Sequence, residues 1–429
     1  MATIAAPPLP GSTPVPAAKP AAVTPASAPA DTTTNAPAQR VIHTAQLITA
    51  MLKSRGHVSD LIFSPGRAPQ IEVSGELVEL KFKGLECLTP DDTRLISNDL
   101  MGKAEHPQRK LEQDGSADLS YGLPGVGRFR VNIFRQRGTN AIVMRVIPNG
   151  IPGFDELKLP PQLQDIVSLR NGIVLVTGPT GSGKSSTLAA IIDRINEQKA
   201  YHILTIEDPI EFLHKHKKST IHQRELHSDT PTFALALRAA LRQAPKVILV
   251  GEMRDRETIE IALEAAETGH LVLSTLHTID ASKTVERIVG VFPLGDQQAI
   301  RTRLSKAFRY IISQRLMPKK DGTGRIAAIE ILKSTMRTRD YVEKGEGEGK
   351  TLLDAMRDGD TEGMQYFDGE IERFIRDGIV DVDVAMGFAT NPGNLRLEIA
   401  DFLEAQRKSH GRIDNNAARQ PSNELELEP

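Results

Sequence analysis

Apolar and polar positions change rhythm twice along the chain. From Val41, the run VIHTAQLITAMLKSRG repeats apolar residues at helical spacing and stops at Gly56, which predicts a first helix. SDLIFSPGRAPQIEVSGELVEL then reads as short strands around a Pro-Gly turn and a Ser-Gly turn. At 89–92, TPDD places a cap, a proline and two acids at the start of a second helix. ADLSYGLPGVGRFRVNIFRQRGTNAIVMRVIP returns to strand, so residues 41–148 predict a small α+β domain.

A Pro- and Gly-dense linker, 149–171, precedes the second change. From Gly172 the apolar runs IVLVT, HILTI, VILVG and LVLSTLHT alternate with helical stretches, the pattern of a parallel sheet covered on both faces. After about Leu294 the pattern becomes helical and charged, with one strand predicted at RIAAIEIL; this second domain is expected over 172–405. Residues 1–40 are Ala, Pro and Thr with almost no large apolar side chains. Such a segment cannot bury enough surface to offset its ordering entropy and reads as a disordered tail. Residues 406–429 read as a loose polar tail, and no internal repeat is visible.

Composition narrows the classes. The 429 residues carry a formal net charge of -2, which argues against bulk nucleic acid or anionic lipid as the main partner. The single cysteine, Cys87, excludes an internal disulfide framework and a tetracysteine zinc site. No stretch approaches the ~18 uninterrupted apolar residues of a membrane span. MATIAAPPLPGSTPVPAAKP lacks the basic start and long apolar core of a secretory signal.

The most specific signal is GPTGSGKSS at 178–186. Residues Gly178, Pro179, Thr180, Gly181, Ser182, Gly183, Lys184 and Ser185 match G-x-x-x-x-G-K-[ST] in full, and Ser186 continues it. IVLVT supplies a strand before it and STLAAIIDRI a helix after it, the context the motif requires. Its glycines let backbone N–H groups wrap around phosphate oxygens at a helix N-terminus. Lys184 is expected to reach the β/γ-phosphates of a nucleotide, and the Ser185 hydroxyl to take a place on Mg²⁺.

Two carboxylates stand at strand ends: Glu207 in HILTIEDPIEF, beside Asp208, and Glu252 in VILVGEMRD. Ligands of open α/β sheets sit outside the carboxyl ends of the strands, so both acids should face the glycine loop. One is expected to serve Mg²⁺ and the other to orient or deprotonate an attacking water, with the assignment open. The competing reading of Glu252 is an ion pair with Arg254. TGHLVLSTLHT carries His270 and His277 at the two ends of one strand, and His277 is placed to sense a γ-phosphate through a ring N–H. Of the arginines in GRFRVNIFRQR and IVMR, one or two are candidates to approach a nucleotide, the rest forming a solvated face. The run HKHKK at 214–218 lacks interleaved aromatics and reads as an exposed loop.

Taken together, SDLIFSPGRAPQIEVSGEL, GVGRFRVNIFRQ, LVTGPTGSGKSS, HILTIEDPIEFLH, LRQAP with VILVGEMRDRET, and ETGHLVLSTLHT with VERIVGVFP resemble the secretion and type IV pilus ATPase superfamily. The resemblance spans roughly 41–400 and is closest to PilT-like retraction motors. It implies an α/β fold: a RecA-like P-loop ATPase core preceded by a small PAS-like α+β domain, assembled as a homo-hexamer. It also implies ATP and Mg²⁺ as cofactors and hydrolysis coupled to mechanical work. Glu207 would be the catalytic glutamate and Glu252 the Walker B glutamate near Mg²⁺. His270 and His277 would form the family's His box, and Arg128 and Arg145 would be arginines that approach the nucleotide across an interface. The implied setting is cytoplasmic, peripheral to the inner membrane, with a pilus platform protein as partner and no nucleic acid. The strand opening SDLI lacks the histidine of the family's SDLH, and EGMQYFD with GNLRLEIADF is closer to the PilU-like branch. An accessory subunit working with a second retraction ATPase therefore stays open, as does, more remotely, a pilus-assembly or type II secretion ATPase.

Overall fold

A computed structural model describes residues 41–148 and 150–404. The expectations for both tails, and for Asn149 in the linker, lie outside the described residues.

The first part of the chain builds an antiparallel sheet. Its strands are β1 (Val58–Phe63), β2 (Gln70–Val73), β3 (Glu76–Glu79), β4 (Ser116–Leu123), β5 (Gly127–Gln136) and β6 (Thr139–Ile147), in spatial order β3-β2-β1-β6-β5-β4. Helices α1 (Thr44–Ser54), α2 (Pro90–Met101) and α3 (Glu105–Gln113) accompany it. The TPDD signal acts as expected: Thr89 accepts from the Asp92 amide while the Asp92 side chain accepts from the Thr89 amide. Alternation in β5 decides which face is dry. Phe129, Val131 and Ile133 join Ile48, Met51, Leu61 and Ile96 in one core, while Arg128 and Arg130 point the other way.

The second sheet has seven strands: β7 (Gly172–Thr177), β8 (His202–Glu207), β9 (Thr220–Glu225), β10 (Val247–Val250), β11 (Leu271–Leu276), β12 (Phe308–Pro318) and β13 (Arg325–Lys333). The order is β13-β12-β7-β11-β10-β8-β9, parallel throughout except for the β12–β13 hairpin. Every residue of β7 is buried, and alternate side chains serve opposite faces. Ile173 and Leu175 pack toward α5 (Phe233–Ala240), α6 (Arg256–Glu267), α7 (Ala281–Gly290) and α8 (Leu294–Ala307); Val174 and Val176 pack toward Ile191, Ile192 and Ile195 of α4 (Lys184–Gln198). The helices α9 (Met336–Lys344), α10 (Leu352–Asp358) and α11 (Phe367–Arg376) follow β13.

Sequence pattern predicted only one strand beyond Leu294, whereas two form. The missed strand, β12, contains Ser313, Gln314 and Arg315, which break its apolar run. Ser313 and Gln314 are nonetheless buried, because Thr177 and Thr187 hydrogen-bond to them at 3.1 and 2.9 Å. Among the described residues no helix is long and apolar enough to cross a membrane.

Gly178 closes β7 with φ +142°, and a Cβ there would lie 2.5 Å from both the Gln314 carbonyl oxygen and Ser182 Oγ. The first of these is backbone and cannot swing away. Gly178→Ala is therefore expected to cost roughly 2 kcal/mol or more in urea unfolding, whereas Gly295→Ala, with open space in a helix, should be neutral or stabilising.

Candidate active site

The parallel strands all end on one rim, and the chemistry collects there. Beyond Thr177 the chain turns through Gly178, Gly181 and Gly183, all at positive φ, and enters α4 at Lys184. Only a residue without a Cβ takes such angles freely, so amides of this loop can converge on one point. Lys184 is buried, and its Nζ donates to the carbonyl oxygens of Gly178 and Pro179 at 3.0 Å each. Burial pushes its pKa down, against the pull of Glu211 and Glu252.

Glu207 ends β8. Its Oε1 accepts from Thr205 Oγ1 at 2.6 Å and Gln223 Nε2 at 3.1 Å, and its Oε2 from the Glu211 amide at 3.4 Å. Burial raises its pKa while these donors oppose the rise. Glu252 follows β10, where Gly251 is braced on both sides: its amide donates to Ile206 O at 2.7 Å, and its carbonyl accepts from Thr275 Oγ1 at 2.7 Å. The two readings of Glu252 coexist. Its Oε2 lies 2.7 Å from Arg254 Nε and 3.8 Å from His277 Nε2, and the carboxylate still lines the central cavity. His277, just past β11, has its pKa lowered by burial and then by Lys184, with Glu252 opposing, so the ring is neutral at neutral pH.

These groups share one cavity of about 1240 Å³. Lys184, Ser185, Glu207, Glu252 and His277 line it from the seven-stranded sheet; Arg130 and Arg145 line it from the six-stranded sheet. Arg145 also donates to Asp60 Oδ1 at 3.0 Å within its own sheet. Arg128, half-buried, is engaged elsewhere, in an ion pair with buried Glu225, whose Oε2 also accepts from the Ile210 amide at 3.1 Å. Glu225 lines the cavity too, so this pair fastens one sheet to the other at the cavity's edge.

His270 is the exception among the expected site residues. It precedes β11, at the amino end of the sheet, where Nδ1 bonds with the Ala265 carbonyl at 2.9 Å and its own carbonyl accepts from Gly172. The six residues of β11 separate it from His277, roughly 20 Å at about 3.3 Å per residue. It does not line the cavity, so its expected cofactor-binding role has no support within this chain.

Several residues that line the cavity or brace its lining escaped sequence reasoning. Gln223 and Glu225 alternate in β9 with nothing local to mark them. His106 of α3 stacks on His227, centroids 4.6 Å apart, and burial lowers the His106 pKa. His214, taken for part of an exposed loop, lines the cavity, and burial brings its pKa down to about 4. Arg130 was visible only as one of several arginines; its i, i+2 relation to Arg128 was the available signal.

A left-handed glycine cradle, a buried lysine, two strand-end carboxylates and a neutral imidazole at the carboxyl rim define a nucleotide-binding α/β protein. Residues 72–359 match the family described as type II/IV secretion system protein. The chain is 45% identical over 323 residues to the "Twitching motility protein" of Neisseria gonorrhoeae, covering 75% of this chain and 84% of that one. It is 37% identical over 354 residues to the "Type IV pilus ATPase PilU" of Pseudomonas aeruginosa, covering 82% and 90%. A crystal structure of the pilus retraction motor PilT with bound ADP superposes with a TM-score of 0.74 at 43% identity, covering 82% of this chain and 98% of that one. The protein belongs to the type II/IV secretion system protein family.

The Arg128–Glu225 pair carries its own test. Arg128→Ala leaves a carboxylate buried beside the Ile210 amide and is expected to lower unfolding free energy by roughly 3 kcal/mol. Adding Glu225→Gln should recover much of that loss, a coupling readable in a double-mutant cycle of urea melts.

Proposed function

We propose that the protein is a Mg²⁺-dependent ATPase motor that powers type IV pilus retraction, and hence twitching motility, as a homo-hexamer. The carrying observation is the shared cavity: Lys184, Glu207, Glu252 and His277 face it from one sheet, Arg130 and Arg145 from the other. Similarity to a twitching motility protein and to a retraction motor with bound ADP supplies the physiological setting.

The residues present suit a nucleoside triphosphate. Among the described residues Ser182 Oγ is buried and without a hydrogen-bond partner, and none beyond the adjoining residues comes within 4 Å of a Cβ built on Gly181 or Gly183. The loop thus has an unsatisfied polar atom and open space where phosphate oxygens would sit. Lys184, held only by two carbonyls, exchanges these weak partners for phosphate charge. Ser185 and Glu252 are the residues that would hold Mg²⁺, which when bound screens the phosphate charge. Glu207, fixed by three donors, orients the attacking water and takes its proton. Neutral His277 donates a ring N–H toward the terminal phosphate. Gly178 to Ser186 cradle the phosphates. Arg145 and Arg130 bring positive charge from the other sheet, and Arg128 joins them only after leaving Glu225.

In this reading, residues 41–148 are a PAS-like domain and 172–405 a RecA-like ATPase domain, joined by the linker 149–171. Change in nucleotide state moves one against the other, and the ring acts on an inner-membrane platform protein from the cytoplasmic side. The 37% identity to a PilU ATPase supports a second reading, an accessory retraction subunit working with another ATPase.

Lys184→Ala and Glu252→Ala are each expected to lower steady-state phosphate release from Mg²⁺-ATP by roughly 10²-fold or more, with the fold intact by circular dichroism. Turnover near the parent level in both variants would refute the site. Cells lacking the protein should be hyperpiliated and immobile, whereas bald cells would point to assembly. An isolated protein that turns over only with a partner motor would favour the accessory reading.

A further inference from the structure

Glu330, in the middle of β13, is 3% exposed and is used by none of the chemistry above. We infer that Glu330 is a positioning residue that ties the base of the glycine loop to the loop carrying His277, through Ser313 and Thr177 on one side and the first turn of α7 on the other.

The connections run in both directions from one carboxylate. On one side the Ala281 amide, first in α7, donates to Glu330 Oε1 at 2.8 Å, a buried contact between residues 49 apart. Asp280 caps the same helix by accepting from Lys283, and Thr278 bonds to Thr284 at 2.6 Å, so the segment just after His277 is clamped to the start of α7. On the other side Ser313 is the cross-strand partner of Glu330 in the β12–β13 ladder, and its hydroxyl faces the carboxylate and works against the rise in its pKa. Thr177 Oγ1 donates to that same Ser313 oxygen at 3.1 Å. Thr177 is the last residue before Gly178. The chain Thr177–Ser313–Glu330–Ala281 therefore spans from one wall of the phosphate site to the other behind the sheet's rim.

An ionised carboxylate suits this place because it accepts from both the hydroxyl and the amide. A protonated one turns into a donor toward Ser313 and reverses the hydroxyl chain that reaches Thr177. The charges facing it are Arg315 from β12, which favours ionisation, and Asp280 before α7, which opposes it; Asp368 of α11 lies near Arg315. Burial dominates and holds the pKa at about 7. Because this value is raised above the unfolded one, ionisation opposes folding. Glu330's contribution to stability is whole below the unfolded pKa and is lost as pH rises through about 7.

This inference rests on the ATP-hydrolysis reading, and the test separates the two. The full-length protein and its Glu330→Gln variant are compared in Mg²⁺-ATP turnover across pH 5.5–8.5, in binding of a fluorescent ATP analogue, and in urea unfolding at several pH values. The expected result is a roughly 10- to 100-fold fall in kcat with analogue affinity within about threefold, as for a misplaced catalytic wall. The variant should also lose a kcat change that the parent shows near neutral pH, together with the parent's decline in stability between pH 5 and 7. Ser313→Ala, which cuts the hydroxyl link and keeps the carboxylate, should lower kcat in the same direction and decides the matter if Glu330→Gln folds poorly. Parent-like kcat and pH profile in these variants, or a loss confined to affinity, overturns the inference and leaves the ATPase reading standing. A parent protein that releases no phosphate sinks both.

Discussion

The constraint that orders this molecule is the pairing of β7 between β11 and β12. Because β7 is central, completely buried and parallel to both neighbours, its final residue must emerge on the same rim as theirs. Parallel register then brings Thr177 beside Leu276 and Ser313, so the glycine loop, the His277 loop and β12 meet without any long-range design beyond strand order. The glycines matter at this junction because the loop must leave a buried strand, pass close under Gln314 and enter a helix within a few residues. The convergence of these loops is here a by-product of sheet topology.

Electrostatics at the rim is governed by burial. Lys184 is pushed toward its neutral form and Glu207 toward its protonated form, while His277 stays neutral. Burial thus disfavours the charge on Lys184, and a polyphosphate would favour it directly. Glu207 keeps its acceptor character through Thr205, Gln223 and the Glu211 amide rather than through a cationic partner, which leaves nearby cations free to meet ligand charge.

Much of this was legible in the sequence. The strand–GPTGSGKSS–helix unit is local, so its conformation could be read from adjacent residues, and the shared rim of Glu207, Glu252 and His277 followed from their places at strand ends. What escaped was non-local. Glu225 pairs with a residue 97 positions away and Gln223 braces Glu207 from a neighbouring strand. β12 was hidden because its buried Ser313 and the Gln314 amide nitrogen meet hydroxyl partners far away in the chain. His270 entered the expected site only through the resemblance: flanking the same strand as His277 puts it at the opposite rim of the sheet. Strand polarity, not proximity in sequence, sets which histidine reaches the rim.

The Arg128–Glu225 contact has a further consequence. It joins parts of the chain that otherwise keep separate cores, and it stands where the cleft between them opens to solvent, with 22% of the arginine side chain already exposed. Were the two parts to draw away from each other, water would replace each charge's partner, so hydration would offset much of what separation removes. The clasp therefore fixes orientation when shut yet adds little resistance to parting, the behaviour of a detent rather than a lock.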